Sequence, residues 1–277
     1  MPLPDERSGQ VLPIAPPFPE IKTWHLVYHL APLKKRRIRL HYHLEQLRRY
    51  YRLFNGRKIL SCMTGSAFLP MSYIKPNLPD PNTWEIVEAP NSPLHEGTSM
   101  VAILEDLLHD SPDHAFMYAH GKGVSRAPGE NHKWIEYLYK YTFGSFDRLK
   151  ELLTQYPIAG PFLWRAWSDP ETPTDEGWLY PGTFFAVRFD VLSRMPWRER
   201  PVEDRYWMEQ LPGHVFQKKY LGNVSNAIFG DTARVEAAET NASAPPSNLR
   251  EPEDAFWARF DAALHGQPYF AVETKIS

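Results

Sequence analysis

The fold class can be predicted from residues 23–64, TWHLVYHLAPLKKRRIRLHYHLEQLRRYYRLFNGRKILSCMT. Residues 24–30 form a β-rich apolar run, and residues 58–63 form a second one. Between them, apolar side chains recur at helical spacing, at Leu40, Leu44, Leu47, Tyr51 and Phe54. Asn55-Gly56 is expected to cap the end of that helix. This strand, helix, strand order predicts an α/β sheet that is parallel at its start.

The rest of the chain continues the alternation. We expect further strands at residues 83–88, 114–120, 158–164, 183–188 and 226–229. We also expect a helix capped by Thr98 or Ser99, and helices over 132–156 and over 203–210. Residues 1–21 predict an extended, proline-rich leader, residues 22–235 a single domain, and residues 236–277 a polar linker with a C-terminal helix that packs on the domain. In such sheets, ligands bind outside the carboxyl ends of the strands.

Composition excludes several classes of protein. The chain has 277 residues, of which 43% are apolar and 23% charged, with a net charge of −2, so neither a disordered protein nor a uniformly basic one is expected. The single cysteine, Cys62, excludes an intramolecular disulfide and a multi-cysteine zinc site. No apolar run is long enough to span a membrane, and the first residues do not resemble a secretory signal, so a cytoplasmic protein is expected.

The segment Tyr118-Ala119-His120-Gly121-Lys122-Gly123-Val124 is the strongest local motif. It follows a predicted strand, its glycines allow a ligand to approach the backbone, and Lys122 is a point charge suited to phosphate. It lacks the spacing and the Lys-Ser/Thr ending of a Walker loop. An ordinary turn with an exposed lysine is the alternative interpretation.

Two later segments carry the other candidate residues. Residues 178–188, WLYPGTFFAVR, place aromatic side chains before a Pro-Gly turn and could line a sugar or base pocket, or fill the core of a hairpin. Residues 203–214, EDRYWMEQLPGH, set Glu209 among apolar neighbours, where partial desolvation suits a general base. A helix-end carboxylate that points to water is the alternative for Glu209.

A basic block occupies residues 34–58, with ten lysines and arginines against one acid, Glu45. It follows the first strand directly, where a nucleotide would lie, and it predicts an anionic partner: a diphosphate, a nucleic acid or a membrane surface. A solvated helix face is the alternative.

Two catalytic classes are set aside. The sequence has no Gly-x-Ser-x-Gly elbow and no His-Glu-x-x-His or paired-cysteine spacing. His41 and His43 are two residues apart and therefore lie on different sides of a helix, which makes them poor joint metal ligands.

Taken together, these segments resemble nucleotide-sugar glycosyltransferases of the GT-A fold, over roughly residues 22–265. The closer similarity is to little-characterised bacterial glycosyltransferase-like proteins, through the Tyr-Ala-His-x-Lys-Gly-Val segment, a Gly-Thr-Phe strand and the Trp-x-Glu-x-x-Pro-Gly-x-x-Phe segment at residues 207–216. A more distant similarity is to rhamnan-synthesis-type transferases. The resemblance implies an α/β, GT-A-like (Rossmann-like) mixed sheet flanked by helices.

The resemblance also implies roles for particular residues. Glu209 is expected to be the general base and Lys122 to neutralise the leaving diphosphate. The expected donor-binding residues are His29, Asn91, Gly97, His120, Gly121 and Gly123. The expected acceptor and sugar pocket consists of Trp178, Tyr180, Gly182, Thr183, Phe184 and Trp207.

Several alternatives stay open at this point. The chain has His120-Gly121-Lys122 where the GT-A fold has an Asp-x-Asp motif, so a metal-independent reaction is favoured, with Mn²⁺ or Mg²⁺ held by His120 and His214 as the alternative. Inversion is favoured over retention. The acceptor is a glycan or another hydroxyl compound, and DNA or an acidic glycan would explain the basic block. A non-catalytic module that binds nucleic acid or an acidic polymer is the second hypothesis.

Overall fold

The structure is a computed structural model, and it describes residues 12, 14–90, 97–121, 132–165, 178–180, 182–199, 207–216, 221–224 and 228–230. The strands are β1 (Thr23–Leu30), β2 (Lys58–Thr64), β3 (Trp84–Pro90), β4 (His114–His120), β5 (Ile158–Gly160), β6 (Leu163–Arg165), β7 (Trp178–Leu179), β8 (Phe185–Arg188), β9 (Leu221–Asn223) and β10 (Ile228–Gly230). The helices are α1 (Arg37–Tyr50), α2 (Met71–Ile74), α3 (Gly97–Leu107), α4 (His132–Thr142), α5 (Phe146–Leu152), α6 (Phe189–Leu192) and α7 (Trp207–Val215).

Seven of the described strands form one mixed sheet in the order β3-β2-β1-β4-β8-β5-β9. Strands β3, β2, β1 and β4 are parallel to one another, whereas β8 runs antiparallel to both β4 and β5. A smaller sheet has the order β10-β6-β7. Because β1 is central and parallel to both neighbours, its side chains are buried on both faces, which explains its nearly continuous apolar sequence.

Helices cover the two faces of the large sheet. The buried stripe of α1, at Leu40, Leu44 and Leu47, packs on one face, and α3 packs on the other through Met100, Ile103, Leu104 and Leu107. The predicted α/β class, a mixed sheet flanked by helices, is therefore confirmed. Among the described helices, none has the length and apolar character needed to cross a bilayer.

A buried hydrogen-bonded cluster ties α1 and α4 to the central strand. The Tyr139 hydroxyl lies 2.6 Å from the Tyr28 hydroxyl and 2.9 Å from Nδ1 of His43. Burial raises the pKa of Tyr28 and that of Tyr139, so both hydroxyls remain protonated. His41, on the opposite side of α1, is exposed and contacts the Tyr73 hydroxyl, as the spacing of the two histidines predicted.

Two predictions about helix ends are wrong. Helix α1 ends at Tyr50, and Asn55-Gly56 instead joins the start of β1, where Asn55 Oδ1 accepts the Trp24 N–H at 2.8 Å. A Cβ at Gly56 would lie 2.8 Å from a Thr23 methyl carbon, so this close approach requires glycine. Neither Thr98 nor Ser99 caps α3, because the helix already begins at Gly97, and the Ser99 hydroxyl bonds to Ser61 of β2.

Three predicted elements are also shorter than expected. The helix expected over 132–156 is divided into α4 and α5 at Gly144, whose N–H bonds to the Tyr139 carbonyl and ends α4. The strand expected over 158–164 is divided into β5 and β6, on either side of Pro161, and the two lie in different sheets. The strand expected from Thr183 begins at Phe185, because Thr183 is in a turn.

Candidate functional site

The candidate site lies at the edge of the large sheet where β1, β2 and β4 end. His29 of β1 stands beside Ser61 of β2 and His120 of β4 in the strand register. Because β8 is antiparallel to β4, with Phe185 paired to Tyr118, the turn that precedes β8 comes to the same edge. The fold therefore brings together predicted site residues from distant parts of the chain.

Three polar side chains link β1, β2 and α3 at this edge. Nδ1 of His29 lies 3.0 Å from the Ser61 hydroxyl, which in turn lies 2.5 Å from the Ser99 hydroxyl. All three side chains are buried, so these hydrogen bonds fix the orientation of the His29 ring. Neither serine was predicted as a site residue, although Ser61 interrupts the apolar strand KILSCMT.

The end of β4 contacts β1 on one side and the turn before β8 on the other. The Gly121 N–H donates to the His29 carbonyl at 2.9 Å, which continues the pairing of β1 with β4 past His120. The half-buried His120 ring meets Phe184 edge to face, with ring centroids 6.3 Å apart. The predicted donor residues His29, His120 and Gly121 are thus adjacent to the Gly182–Phe184 turn.

That turn has an unusual backbone. Gly182 has a φ of +86° and Thr183 a φ of +56°, and the Thr183 N–H donates to the Tyr180 carbonyl at 3.0 Å. A left-handed threonine is uncommon because its branched Cβ crowds the backbone. A Cβ at Gly182 would approach Leu138 Cδ1 to 2.7 Å, so glycine is required there. Strained residues of this kind cluster at functional sites.

Glu209 reaches this turn from the first turn of α7. Its Oε1 accepts a hydrogen bond from the Gly182 N–H at 3.2 Å, and its side chain is half-buried. A carboxylate in the first turn of a helix is also stabilised by the helix dipole. The candidate base and the candidate acceptor turn, 27 residues apart in sequence, are therefore in direct contact.

The aromatic members of the predicted pocket are packed inside the protein. The Tyr180 hydroxyl donates to the Gly222 carbonyl at 2.8 Å, and burial raises the pKa of Tyr180 well above its usual range. Phe184 is enclosed by Tyr139 and other core rings, and Trp207 is 4% exposed. These rings form the wall behind the turn, and their contact with a sugar stays a prediction.

The remaining predicted residues are only partly described. Asn91, Lys122 and Gly123 lie outside the described residues, as do the side chains of Trp178 and His214. Gly97 is the buried first residue of α3. At this edge, the described residues include no cluster of three carboxylates, histidines or cysteines able to hold Mn²⁺ or Mg²⁺, so we derive no step through a metal.

A group of potential metal ligands occurs at the opposite edge instead, where β1 and β4 begin. His25 Nε2 lies 3.0 Å from His114 Nδ1 and 3.8 Å from an Asp110 carboxylate oxygen. However, His25 Nδ1 accepts the Arg57 backbone N–H at 3.1 Å, so the neutral ring carries its proton on Nε2 and donates it to His114. This tautomer is incompatible with a metal at Nε2.

Burial, followed by the nearby His114, lowers the pKa of His25 to about 4. The ring is therefore neutral at physiological pH. This histidine cluster was not predicted from the sequence, because its members come from β1, β4 and the loop before β4.

The cations of the basic block at residues 34–58 differ in whether they pair with a carboxylate. The Arg57 guanidinium binds the carboxylates of Glu85 and Asp106, and Arg48 pairs with Glu45. By contrast, Lys34, Lys35, Arg36 and Arg37 precede or begin α1, and none of them pairs with a carboxylate of the described chain. The cations of the block without a carboxylate partner in the described chain thus include this cluster at the start of α1, and also Arg49 and Arg52 near its end.

Comparison with known proteins gives a fold-level likeness at low similarity. No protein-family model matches the chain, and no curated protein matches it. One similar solved structure is that of a proposed nucleotide-diphospho-sugar transferase from Desulfovibrio desulfuricans G20. It has a TM-score of 0.38 and 12% identity, over 89% of this chain and 99% of that one.

A second similar structure is that of the galactosyltransferase LgtC, in complex with donor and acceptor sugar analogues. Its TM-score is 0.33 and its identity 10%, over 90% of this chain and 98% of that one. Scores of this size describe a loose likeness, so no site residue of either protein is transferred to this chain.

Proposed function

We propose that the chain is a nucleotide-sugar glycosyltransferase that moves a sugar from a nucleotide-diphosphate donor to a hydroxyl acceptor. The observation that carries this proposal is the contact between Glu209 and the left-handed Gly182–Thr183 turn, beside His29 and His120 at the carboxyl edge of the sheet. A carboxylate fixed at a strained turn, in the place where α/β sheets bind ligands, suits a positioned general base.

In the proposed reaction, Glu209 takes the proton of the acceptor hydroxyl. The acceptor oxygen attacks the anomeric carbon, the bond from that carbon to the diphosphate oxygen breaks, and its electron pair leaves with the nucleoside diphosphate. A base on the face opposite the leaving group gives inversion. Lys122, which directly follows Gly121 in the sequence, is proposed to neutralise the leaving diphosphate.

The remaining donor and pocket residues complete the proposal. His29, Asn91, Gly97 and the Gly121-Lys122-Gly123 backbone are proposed to contact the nucleotide diphosphate. Gly182, Thr183 and the aromatic side chains of Trp178, Tyr180, Phe184 and Trp207 are proposed to shape the acceptor side. The single Cys62 is buried, and burial raises the pKa of its thiol to about 12, which suits an unreactive thiol.

A panel of UDP-, GDP-, dTDP- and CMP-sugars tests the function directly. We expect one nucleotide class to raise the melting temperature and to be hydrolysed or transferred. Lys122→Ala should abolish that thermal shift, while Lys133→Ala, at an exposed lysine on α4, should retain it. If no nucleotide shifts the melting temperature and no donor is turned over, the glycosyltransferase proposal is wrong.

The non-catalytic binding module remains the second candidate, and the exposed cations before α1 are the observation that favours it. It predicts affinity for nucleic acid or an acidic polymer that falls steeply with salt and needs no nucleotide sugar. A gel shift with duplex and single-stranded DNA at low and high salt, with and without the donor panel, separates it from the enzyme. DNA that is both bound and glycosylated would identify a polyanionic acceptor.

A further inference from the structure

A small surface at the start of α1 combines strong positive charge with an exposed aliphatic side chain. We call it the α1 surface, and define it by Lys34, Lys35, Arg37, Ile38 and His41. All five residues are exposed. It directly follows β1, so it borders the sheet edge that carries His29.

The positive charge of the α1 surface is not compensated within the described chain. Helix α1 has no acidic residue in its first turn and no side-chain cap, and its amino end adds the positive pole of the helix dipole. Lys34 donates to the Ser66 carbonyl at 2.7 Å, which satisfies a hydrogen bond without neutralising the charge. These like charges repel one another, and an anionic partner relieves that repulsion.

Ile38 distinguishes this surface from an ordinary basic patch. Its side chain is 82% exposed, and it is the one large apolar residue of the described chain that is fully open to solvent. It lies beside Arg37 in the first turn of α1, with His41 three residues later on the same face and the 3₁₀ turn Lys34–Arg36 just before it. Removing an aliphatic side chain from water is favourable only where it enters an apolar environment.

The aromatic ring beside the α1 surface is poorly placed for stacking with nucleobases. The guanidinium of Arg37 lies over the Tyr73 ring, 5.7 Å from the ring centroid, and the Tyr73 hydroxyl contacts Nε2 of His41 at 3.0 Å. Single-stranded nucleic acid is bound largely through open aromatic faces. Cations around an exposed aliphatic residue match instead the headgroups and acyl boundary of a bilayer.

We propose that the α1 surface docks the protein on an anionic lipid bilayer, with Ile38 inserted at the headgroup boundary and the three cations bound to lipid phosphates. Docking in this way turns the carboxyl edge of the sheet toward the membrane. The inference does not depend on the glycosyltransferase proposal, because vesicle binding needs no nucleotide sugar.

Sedimentation of the full chain with vesicles tests the proposal. We expect binding to vesicles of phosphatidylglycerol mixed with phosphatidylcholine, weakening as salt rises, and little binding to pure phosphatidylcholine. The triple variant Lys34→Gln, Lys35→Gln, Arg37→Gln should lose roughly a hundredfold in affinity, from the contribution of each cation near an anionic surface. Ile38→Ser, which keeps every charge, should lose about tenfold.

The control removes three cations near the other end of α1: Arg48 and Arg49 in its last turn, and Arg52 in the 3₁₀ turn that follows it. We expect the variant Arg48→Gln, Arg49→Gln, Arg52→Gln to bind anionic vesicles at least about tenfold more tightly than the first triple variant does. Far-UV circular dichroism and thermal melting confirm that all variants fold, as expected for exposed positions. Equal losses in the two triple variants, unchanged binding of Ile38→Ser, or no binding to anionic vesicles would overturn the proposal. So would tighter binding to DNA than to vesicles at equal phosphate concentration, which would assign the surface to nucleic acid.

Discussion

The contact between the Glu209 carboxylate and the Gly182 amide combines two roles that substitution can separate. As a hydrogen-bond acceptor, Glu209 holds the turn that carries Thr183. As the proposed base, it must also take a proton from the acceptor. An amide side chain keeps the first role and loses the second, because its oxygen accepts a hydrogen bond but does not take up a proton at neutral pH.

We therefore expect Glu209→Gln to lower kcat by about 10²–10⁴-fold with donor affinity unchanged. Glu209→Ala should lose kcat similarly and also destabilise the fold by about 1 kcal/mol, since the Gly182 amide loses its acceptor. Steady-state kinetics and urea unfolding measure the two effects. Glu105→Gln, at an exposed carboxylate of α3, should change neither. Full activity in Glu209→Gln would remove Glu209 as the base.

Gly182→Ala tests the backbone of the turn. The positive φ and the clash with Leu138 together predict a loss of about 2–4 kcal/mol in unfolding free energy, with activity reduced. Gly65→Ala is the control: its φ is also positive, at +133°, but it lies in an exposed loop, where a Cβ would make only an ordinary contact with Phe68, at 3.7 Å. Its activity should match that of the parent chain. Equal activity in both variants would show that the turn is not part of the site.

At the scale of elements, the sequence predicts the four parallel strands well and the later elements less well. Buried parallel strands have continuous apolar sequences, so residues 23–30 and 114–120 are recognisable without tertiary information. The sequence does not predict that the helix is divided at Gly144 or the strand at Pro161, because apolar residues continue on both sides of each position. The link from His29 to Ser61 and Ser99 depends on strand register, which single-sequence periodicity does not provide.

The amino ends of β1 and β4 predict a pH effect on stability. The pKa of His25 in the folded state, about 4, is below its ordinary value near 6.5, so the unfolded chain binds more protons between these values. The contribution of His25 to stability is fully present above about pH 6.5 and decreases as the pH falls toward 4. The charged groups that act on the ring are His114, Asp110, Arg57 and Glu85.

Urea unfolding at a series of pH values between about 7.5 and 5 measures this effect. We expect the loss of stability over that interval to be smaller in His25→Asn than in the parent chain, because the variant has no ring to protonate. His41→Asn, which removes an exposed histidine from α1, should keep the parental slope. An unchanged slope in His25→Asn would show that the buried histidine does not govern the acid sensitivity.

At the scale of the whole molecule, the end of the predicted leader packs against a buried ion pair of the domain. The Arg188 guanidinium binds the Asp190 carboxylate at 2.7–2.9 Å and also donates to the carbonyls of Pro19 and Leu153. It lies over the ring of Phe18, which is itself buried. At least this part of the predicted leader is therefore packed on the domain, a result that proline content does not predict.

We expect Arg188→Leu to lower the free energy of unfolding by about 3–5 kcal/mol, since it leaves the buried Asp190 without its cation. The double variant Arg188→Leu, Asp190→Leu should recover part of that loss. Arg148→Leu, in the exposed pair with Glu151, should cost less than about 1 kcal/mol. Chemical denaturation compares the variants, and equal costs for the buried and exposed pairs would contradict the role given to Arg188.

The reversed direction of β8 has a mechanical consequence. Gly182, held by Glu209, and Arg188, held to the leader, are joined by the left-handed Thr183, by Phe184 and by the short strand β8. Since β8 pairs with β4 on one side and with β5 on the other, the strand itself is held straight between the turn and Arg188. We therefore expect that losing the contact between the leader and Arg188 affects the turn at the other end of this strand.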